Sequence, residues 1–214
     1  MPPTHLATPS AAMRGAVDGL AGFLSDQGAT VAEAMPGFDQ DAYFHDYLTA
    51  LMLITTLGMP LEQREASAAG LRASGDPADA ARAAGTTLSA SEFLALLGRR
   101  EAARLQWAEF FESWDVILCP TTLDSAFPHT TGKFEDRTLQ IDGSTVRYSN
   151  LIVYPMWAIF AGQPATAFPA GLDPNGLPLG LQAIGPYLED RTTMRFAQLL
   201  EREWRAFQPP PAYA

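Results

Sequence analysis

Two stretches near the start of the chain place apolar residues at helical spacing. After Ser10, apolar side chains follow three or four positions apart: Met13, Val17, Leu20 and Leu24. A second such series begins after Asp39 and ends at the helix-breaking run 58–60. Serine and aspartate cap helix N-termini well, and Gly28 suits a left-handed helix end. The pattern therefore predicts two amphipathic helices, one opened by Ser10 and one by Asp39.

A third and longer helix is predicted to begin at Ser89. Ser89 and Glu92 have the spacing of a capping box, in which each side chain accepts a hydrogen bond from the other residue's backbone amide. Apolar residues then keep helical phase: Phe93, Leu96, Leu97, Ala103, Trp107, Phe110, Phe111 and Trp114. Before this helix, residues 61–85 are rich in alanine and are broken at 75–77, which predicts two short helical pieces.

Strand signals occur at four places. Residues 116–120 form an apolar run without polar alternation, which predicts a strand in the middle of an α/β sheet with both faces covered. Shorter strands are predicted at 29–34, 165–169 and 179–184, and the Asp-Pro-Asn-Gly sequence at 173–176 predicts a turn between the last two. The predicted fold class is α/β, with a mixed sheet flanked by helices.

The region between these strands contains a long polar loop and an apolar segment. The loop spans 121–148, with Asp142-Gly143 as a hairpin turn inside it, and loops of this length usually serve a site or a partner. The segment 151–160 predicts a helix started or kinked at Pro155, although its isoleucine and valine content also suits a strand. A last helix is predicted over 190–207.

Composition and charge narrow the class of protein. Of the 214 residues, 47% are hydrophobic and 18% are charged, which is typical of a globular protein. No repeat or linker divides the sequence, so a single domain over 1–214 is predicted. The formal net charge of −10 would repel phosphate backbones and acidic membrane surfaces. We therefore expect neither nucleic acid nor a membrane as a partner.

The cysteine content and the N-terminal sequence indicate a compartment. Cys119 is the one cysteine of the sequence, and its place in an apolar run predicts a buried small hydrophobe rather than a nucleophile. The first residues lack the basic-then-apolar order of a signal peptide, and the apolar stretch 151–161 is too short to cross a membrane. We therefore expect a cytoplasmic protein.

Two motifs near the end of the chain carry a family resemblance. They are QPATAFPAG at 163–171 and GLPLGLQAIG at 176–185, preceded by the strand WDVILCPTT at 114–122. With the last helix, they resemble the C-terminal region of amidase-signature enzymes, and this resemblance is strongest over 110–207. Less specifically, the first helix and residues 27–31 resemble the helix and strand that follow the nucleophile region of that family. The resemblance implies the C-terminal half of the amidase-signature fold.

The resemblance also implies a catalytic region that this sequence does not show. Members of the family use a Ser-cis-Ser-Lys triad, in which a glycine- and serine-rich stretch presents the nucleophile. No two serines are adjacent in the sequence, and its one lysine, Lys133, lies in a polar loop where a charged, solvated amine is expected. Where the family often has Asn and Thr, this chain has Ile159 and Ala161, which indicates a more apolar pocket or a lost contact.

Four residues are candidates for contact with a substrate. Thr121 and Thr122 follow a central strand, where α/β folds place ligands, and their hydroxyls can meet a substrate amide; a turn-forming pair is the alternative. By the resemblance, Tyr154 and Trp157 line the acyl pocket, and plain core packing is the alternative. No Cys/His pair has ligand spacing and no glycine-rich phosphate loop follows a strand, so neither metal nor cofactor is predicted.

These observations lead to one expectation about function and one alternative. We expect the C-terminal portion of an amidase, a carbon-nitrogen hydrolase, which shapes the substrate pocket and lacks the nucleophile in this chain. The alternative is a non-catalytic binding module on an amidase-like scaffold. The expected partners are an N-terminal catalytic half or a second copy, with a small amide substrate once the enzyme is complete. An apolar contact face is predicted at 116–119 and 154–160.

Overall fold

A computed structural model describes residues 4–210, which divide into two compact units. The first, here called the sheet unit, contains Met1–Met35, Phe110–Ala158 and Gln163–Ala214. The second, the helical unit, contains Pro36–Glu109 and Ile159–Gly162. The single domain expected over the whole chain stays a prediction.

Seven α-helices, two short 3-10 helices and five strands are formed by the described residues. The helices are α1 Ala11–Asp26, α2 Gln40–Thr56, α3 Leu61–Ala73, α4 Pro77–Thr86, α5 Ala90–Phe110, α6 Val153–Ile159 and α7 Asp190–Glu203. The strands are β1 Ile117–Pro120, β2 Thr138–Ile141, β3 Ser144–Arg147, β4 Ala165–Leu172 and β5 Pro178–Ile184. The α/β class predicted from the sequence is confirmed. None of the described helices combines the length and apolar character that a membrane span requires.

The main sheet of the sheet unit has the strand order β1-β5-β4. Both pairings are antiparallel, with Cys119 opposite Gln182 and Phe168 opposite Leu181. The expectation that 116–120 forms a central strand is wrong for the described residues, because β1 lies at the edge. An apolar run indicates that side chains on both faces of a strand are covered. It does not indicate whether both edges of the strand form backbone hydrogen bonds with neighbouring strands.

Residues 29–34 do not form the strand that their sequence predicts. The chain there has no regular secondary structure, and residues 29–33 are exposed. Val31, for example, keeps 42% of its surface in contact with solvent. A strand requires a neighbour for its backbone amides and carbonyls, and in the described residues no strand pairs with this segment. Residues 29–34 therefore have the composition of a strand but no neighbouring strand among the described residues.

Helix α1 forms as predicted and covers the sheet. The hydroxyl of Ser10 accepts a hydrogen bond from the backbone amide of Met13, and Gly28 has a φ of 85° just beyond the helix end. The apolar stripe of α1 joins side chains of β4, β5 and α7 in one core. Its buried members are Met13, Val17, Leu20, Phe168, Ala170, Leu179, Leu181, Ala183 and Leu200.

Two hairpins complete the sheet unit. Asp173 begins the turn between β4 and β5, where its carboxylate accepts hydrogen bonds from the amides of Asn175 and Leu177 at 2.8 Å each. The predicted turn at Asp142-Gly143 joins β2 to β3, with φ values of 48° and 79°. The carboxylate of Asp142 also accepts a hydrogen bond from the amide of Ala11 at 2.7 Å, which connects this hairpin to the start of α1.

The helical unit is built from α2 to α5. The capping box is confirmed: the amide of Ser89 donates to Glu92 at 2.8 Å, and the amide of Glu92 donates to the Ser89 hydroxyl at 3.3 Å. Helix α5 ends at Phe110, so Phe111 and Trp114 lie beyond it, and the side chains it buries are Leu96, Ala103 and Trp107. The two short helices expected over 61–85 are present as α3 and α4.

The apolar segment that follows the β2-β3 hairpin is helical. A 3-10 helix over Tyr148–Ile152 runs directly into α6, so helix rather than strand is the correct alternative. The start of α6 at Val153 places Pro155 in the first turn, where the absent amide hydrogen of proline costs no hydrogen bond.

Candidate functional site

The carboxyl end of β1 brings together the first two residues predicted to contact a substrate. Both the backbone amide and the hydroxyl of Thr121 donate to the carbonyl oxygen of Gly180, at 3.2 and 2.9 Å. A Cβ atom at Gly180 would lie 3.1 Å from the Thr121 hydroxyl, so glycine permits this close approach. Thr122 is half-buried, and its hydroxyl makes no hydrogen bond to the described residues.

Behind these threonines, Gln182 joins β5 to β1 through its side chain. Its amide nitrogen donates to the carbonyl oxygen of Pro120 at 3.1 Å, and its side chain also hydrogen-bonds to the Cys119 thiol. Burial raises the pKa of Cys119 to about 12, so the thiol stays protonated at neutral pH. A protonated, fully buried thiol is a poor nucleophile.

The loop that follows β1 is held against the β4-β5 turn. The hydroxyl of Ser125 donates to the carboxylate of Asp173 at 2.7 Å. The amide of Leu177 and the hydroxyl of Ser125 hold the pKa of Asp173 below its usual value. This carboxylate is therefore ionised at neutral pH and acts as an acceptor that fixes two loops beside Thr121 and Thr122.

The other two candidate residues lie inside the sheet unit. Tyr154 and Trp157 are both fully buried on α6. Burial raises the pKa of Tyr154 above its ordinary value, so its hydroxyl is neutral. Their contact with a substrate, like that of the two threonines, stays a prediction.

The contact face predicted at 116–119 and 154–160 is wrong in its second part. Within 154–160, Tyr154, Met156 and Trp157 are fully buried, whereas Ile159 is 57% exposed. Val116 and Leu118 of the first part are half-buried. The apolar character of 154–160 therefore belongs to packing inside the chain rather than to an open surface.

Sequence reasoning did not single out Gln163, which occupies an unusual environment. Its side chain is 6% exposed, and neither its amide oxygen nor its amide nitrogen has a hydrogen-bond partner among the described residues. Leaving such groups unpaired costs about 1–3 kcal/mol. Its place just before an apolar strand indicates burial, but no feature of the sequence shows that the amide is unpaired.

Within the helical unit, two arginines of α5 hold the segment that contains Ile159 and Ala161. Arg100 donates to the carbonyl oxygen of Phe160 at 2.6 Å, and Arg104 donates to that of Ala161 at 3.0 Å. Tyr43 packs edge-on against Phe160 with ring centroids 5.0 Å apart. The segment is therefore fixed by its carbonyl groups, which any residue supplies, while Ile159 points its side chain to solvent.

The described residues of this site offer binding groups rather than an activated nucleophile. Lys133 and His129 are both exposed in the loop between β1 and β2. No hydrogen bond joins Thr121, Thr122 or Ser125 to a lysine or histidine side chain in this part of the structure. Hydroxyls without a neighbouring base can orient an amide but cannot attack it efficiently.

Comparison with known proteins gives this arrangement a family. The family model described as Amidase matches residues 3–194. A glutamyl-tRNA(Gln) amidotransferase subunit from Mesorhizobium japonicum is 38% identical over 95 residues, which are 44% of this chain and 17% of that protein. The corresponding protein of Novosphingobium aromaticivorans is 40% identical over 102 residues, which are 48% of this chain and 19% of the relative.

Solved structures agree on the fold. A crystal structure of an amidase superposes with a TM-score of 0.64 at 20% identity, covering 91% of this chain and 42% of the other. The corresponding amidotransferase subunit from Thermotoga maritima superposes with a TM-score of 0.64 at 19% identity, covering 96% of this chain and 42% of the other. This chain therefore spans less than half the length of these neighbours. Because the family model matches most of its length, the chain belongs to the amidase signature family.

Proposed function

We propose that this chain is the C-terminal portion of an amidase, a hydrolase of carbon-nitrogen bonds, and that it shapes the substrate pocket. The observation that supports this most directly is the combination of an amidase family match over 3–194 with coverage of 42% of the solved amidase. The nucleophile and its base would come from polypeptide outside residues 1–214. Within the proposal the complete enzyme acts in the cytoplasm on a small amide.

Each candidate residue has a role in this proposal. Thr122 and Thr121 would hydrogen-bond to the substrate amide at the carboxyl end of β1. Thr122 is the stronger candidate because its hydroxyl makes no hydrogen bond to residues 4–210. Tyr154 and Trp157 would form the inner apolar wall of the pocket, since both are large side chains buried on α6.

The test is to produce this chain alone and together with the polypeptide encoded directly upstream in its genome. Both preparations are assayed for release of the amine from a simple aryl amide. We expect no turnover by the chain alone, because covalent acyl transfer needs an activated nucleophile. We expect turnover by the pair, lost when a serine of an adjacent Ser-Ser pair in the upstream polypeptide is replaced by alanine.

Two results would contradict this proposal. Turnover by the isolated chain, abolished by replacing one of its own serines, would place the nucleophile here. An upstream polypeptide without a lysine and an adjacent serine pair, with no activity in the pair, would favour the alternative of a non-catalytic binding module. In an active pair, Thr122→Val is expected to lower kcat/KM about tenfold, with Thr130→Val in the same loop as the matched control.

A further inference from the structure

A cavity lies along the outer edge of β1 in the sheet unit. It has a volume of about 470 Å³ and is here called the β1 cavity. Residues 113–118, which run from the chain before β1 into its first two residues, form one wall, and the segment 29–34 forms another. Four side chains of α1 and α7 also line it: Val17, Ala21, Leu24 and Phe196. The cavity is thus bounded by one unpaired strand edge, one segment with strand-forming composition and an apolar floor.

Both walls of the cavity lack a neighbouring strand that would pair with their backbone groups. β1 pairs with β5 along one edge only, and residues 29–34 pair with no strand among the described residues. Exposed strand edges attract other strands because their amides and carbonyls seek hydrogen-bond partners. One strand placed between these walls would have a neighbour on each side. Its backbone could then form hydrogen bonds with β1 along one edge and with residues 29–34 along the other.

The entry of the chain into α1 fixes the direction of such a strand. The amide of Ser10 donates to the carbonyl oxygen of Leu123 at 2.7 Å, so α1 begins beside the carboxyl end of β1. A strand that runs through the cavity and then leads towards α1 would therefore lie parallel to β1. The order strand, α1, then residues 29–34 is that of a β-α-β unit, in which the helix covers two adjacent parallel strands.

The lining also specifies the chemistry of the occupant. Among the residues lining the β1 cavity, Asp115 is the one with a charged side chain, and the floor from α1 is aliphatic. An uncharged strand rich in β-branched residues fits such a surface, because burying an unpaired charge there would be costly. With β1 four residues long, the occupant needs about four to six residues in extended conformation.

We infer that the β1 cavity receives an apolar β-strand, parallel to β1, from the polypeptide that completes the amidase fold. This inference rests on the proposed function, in which more of the fold is supplied from outside residues 1–214. The superposed amidase supports it, since this chain covers 42% of that protein, so more than half of that protein lies outside the superposed part. In the described residues, the outer edge of β1 is where strand pairing, apolar lining and cavity volume coincide.

The test uses a synthetic peptide as the probe. Its sequence is an uncharged run of six residues rich in valine and isoleucine, the composition that the lining of the β1 cavity favours. The peptide carries a fluorophore, and its anisotropy is followed as the full chain is added. We expect saturable binding and slower amide hydrogen exchange at residues 30–34 and 116–118 in the complex. No saturable binding, or protection elsewhere only, would overturn the inference.

A matched pair of lysine variants locates the binding surface. Val31→Lys puts a charge in the wall of the β1 cavity, and Leu172→Lys puts one on β4 at the opposite edge of the same sheet. Both parent side chains are exposed, at 42% and 63%, so both variants are expected to fold. We expect Val31→Lys to weaken peptide binding at least about tenfold and Leu172→Lys less than about twofold. Equal effects would overturn the assignment to β1.

Two further outcomes separate this inference from the proposed function. If the upstream polypeptide gives an active pair whose assembly is unchanged by Val31→Lys, the inference fails and the proposed function stands. If the peptide binds in the β1 cavity but no pair is active, the proposed function fails and the inference stands. Self-association of the chain alone, abolished by Val31→Lys but not by Leu172→Lys, would identify a second copy as the occupant and overturn the inference.

Discussion

The two sides of β1 show what strand-forming sequence does with and without a partner. On its inner side β1 pairs with β5 through four residue pairs from Ile117 to Pro120. On its outer side lie the β1 cavity and residues 29–34, which have β-forming composition and no strand structure. Since the same chain supplies both sides, intrinsic preference alone is not sufficient, and pairing decides which segment becomes a strand.

This difference predicts where the stability of the sheet unit is concentrated. Leu181 is fully buried in the core on the inner side, whereas Val31 is 42% exposed on the outer side. Burial of apolar surface is the dominant favourable term in folding, so the inner side carries most of it. The outer side adds little to the free energy of unfolding until something covers it. Four measurements test this difference between the two sides.

The largest expected effect comes from truncating one side chain on each side. Leu181→Ala removes a fully buried side chain and is expected to lower the free energy of unfolding by about 3 kcal/mol, through lost transfer energy and a residual cavity. Val31→Ala is expected to lower it by less than about 0.5 kcal/mol, because that side chain is largely in solvent. Urea denaturation of both variants checks this. Equal losses would mean that residues 29–34 are packed as firmly as β5.

The second prediction concerns alkaline pH and the side of β1 on which Cys119 lies. Its pKa is raised from 9.0 to about 12 in the folded chain, so its stabilising contribution is complete below pH 9 and is lost as pH rises towards 12. Burial raises the pKa of Tyr154 in the same direction. We expect the free energy of unfolding to fall on the order of 2 kcal/mol between about pH 9 and pH 11.

The control for this prediction is Cys119→Ala. It removes the titrating thiol, so the loss of stability over the same pH interval should become smaller, whatever the variant costs at neutral pH. An unchanged slope would assign the effect to other groups. Reaction of the thiol with iodoacetamide at pH 8 in the folded chain would show that Cys119 is accessible to solvent and would contradict this prediction.

The contrast also explains which features the sequence could predict. Local signals were reliable: the Ser10 cap, the Ser89 and Glu92 capping box and the Asp142-Gly143 turn all formed, because each depends on residues a few positions apart. The strand at 29–34 and the central place of β1 were wrong, because both depend on a neighbour that hydrophobic pattern does not reveal.

Predicting the site met the same limit. Their position after an apolar strand made Thr121 and Thr122 candidates, yet it could not show that the Thr121 hydroxyl donates to the carbonyl oxygen of Gly180. Burial of Tyr154 and Trp157 followed from their apolar context. The unpaired amide of Gln163 could not be foreseen, because whether a buried polar group is satisfied depends on atoms far away in sequence.

The third prediction compares two buried glutamines, Gln163 just before β4 and Gln182 within β5. Gln163 and Gln182 are 6% and 7% exposed, but only Gln182 has its side-chain amide paired, with Pro120 at 3.1 Å. Gln163→Leu is expected to raise the free energy of unfolding by about 1 kcal/mol, because it removes an unsatisfied buried amide. Gln182→Leu, the matched control, is expected to lower it by about 1 kcal/mol. A loss of stability in both variants would show that Gln163 is satisfied in solution.

The smallest expected effect distinguishes the two ends of α1. Its first turn is fixed beside the carboxyl end of β1, where the Ser10 hydroxyl accepts from the Met13 amide at 3.3 Å. Its last turn, with Leu24, borders the β1 cavity. Ser10→Ala is therefore expected to cost about 1 kcal/mol in urea denaturation, the usual worth of a serine cap. Ser25→Ala, at an exposed position of the last turn, is expected to change stability by less than about 0.5 kcal/mol.

The same two ends of α1 should differ when the strand peptide is bound. If binding of the peptide orders the outer side of β1, Leu24→Ala should lower the free energy of unfolding more in the complex than in the free chain, whereas the cost of Ser10→Ala should stay the same. An equal cost of Leu24→Ala in both states would mean that the peptide leaves the floor of the β1 cavity untouched.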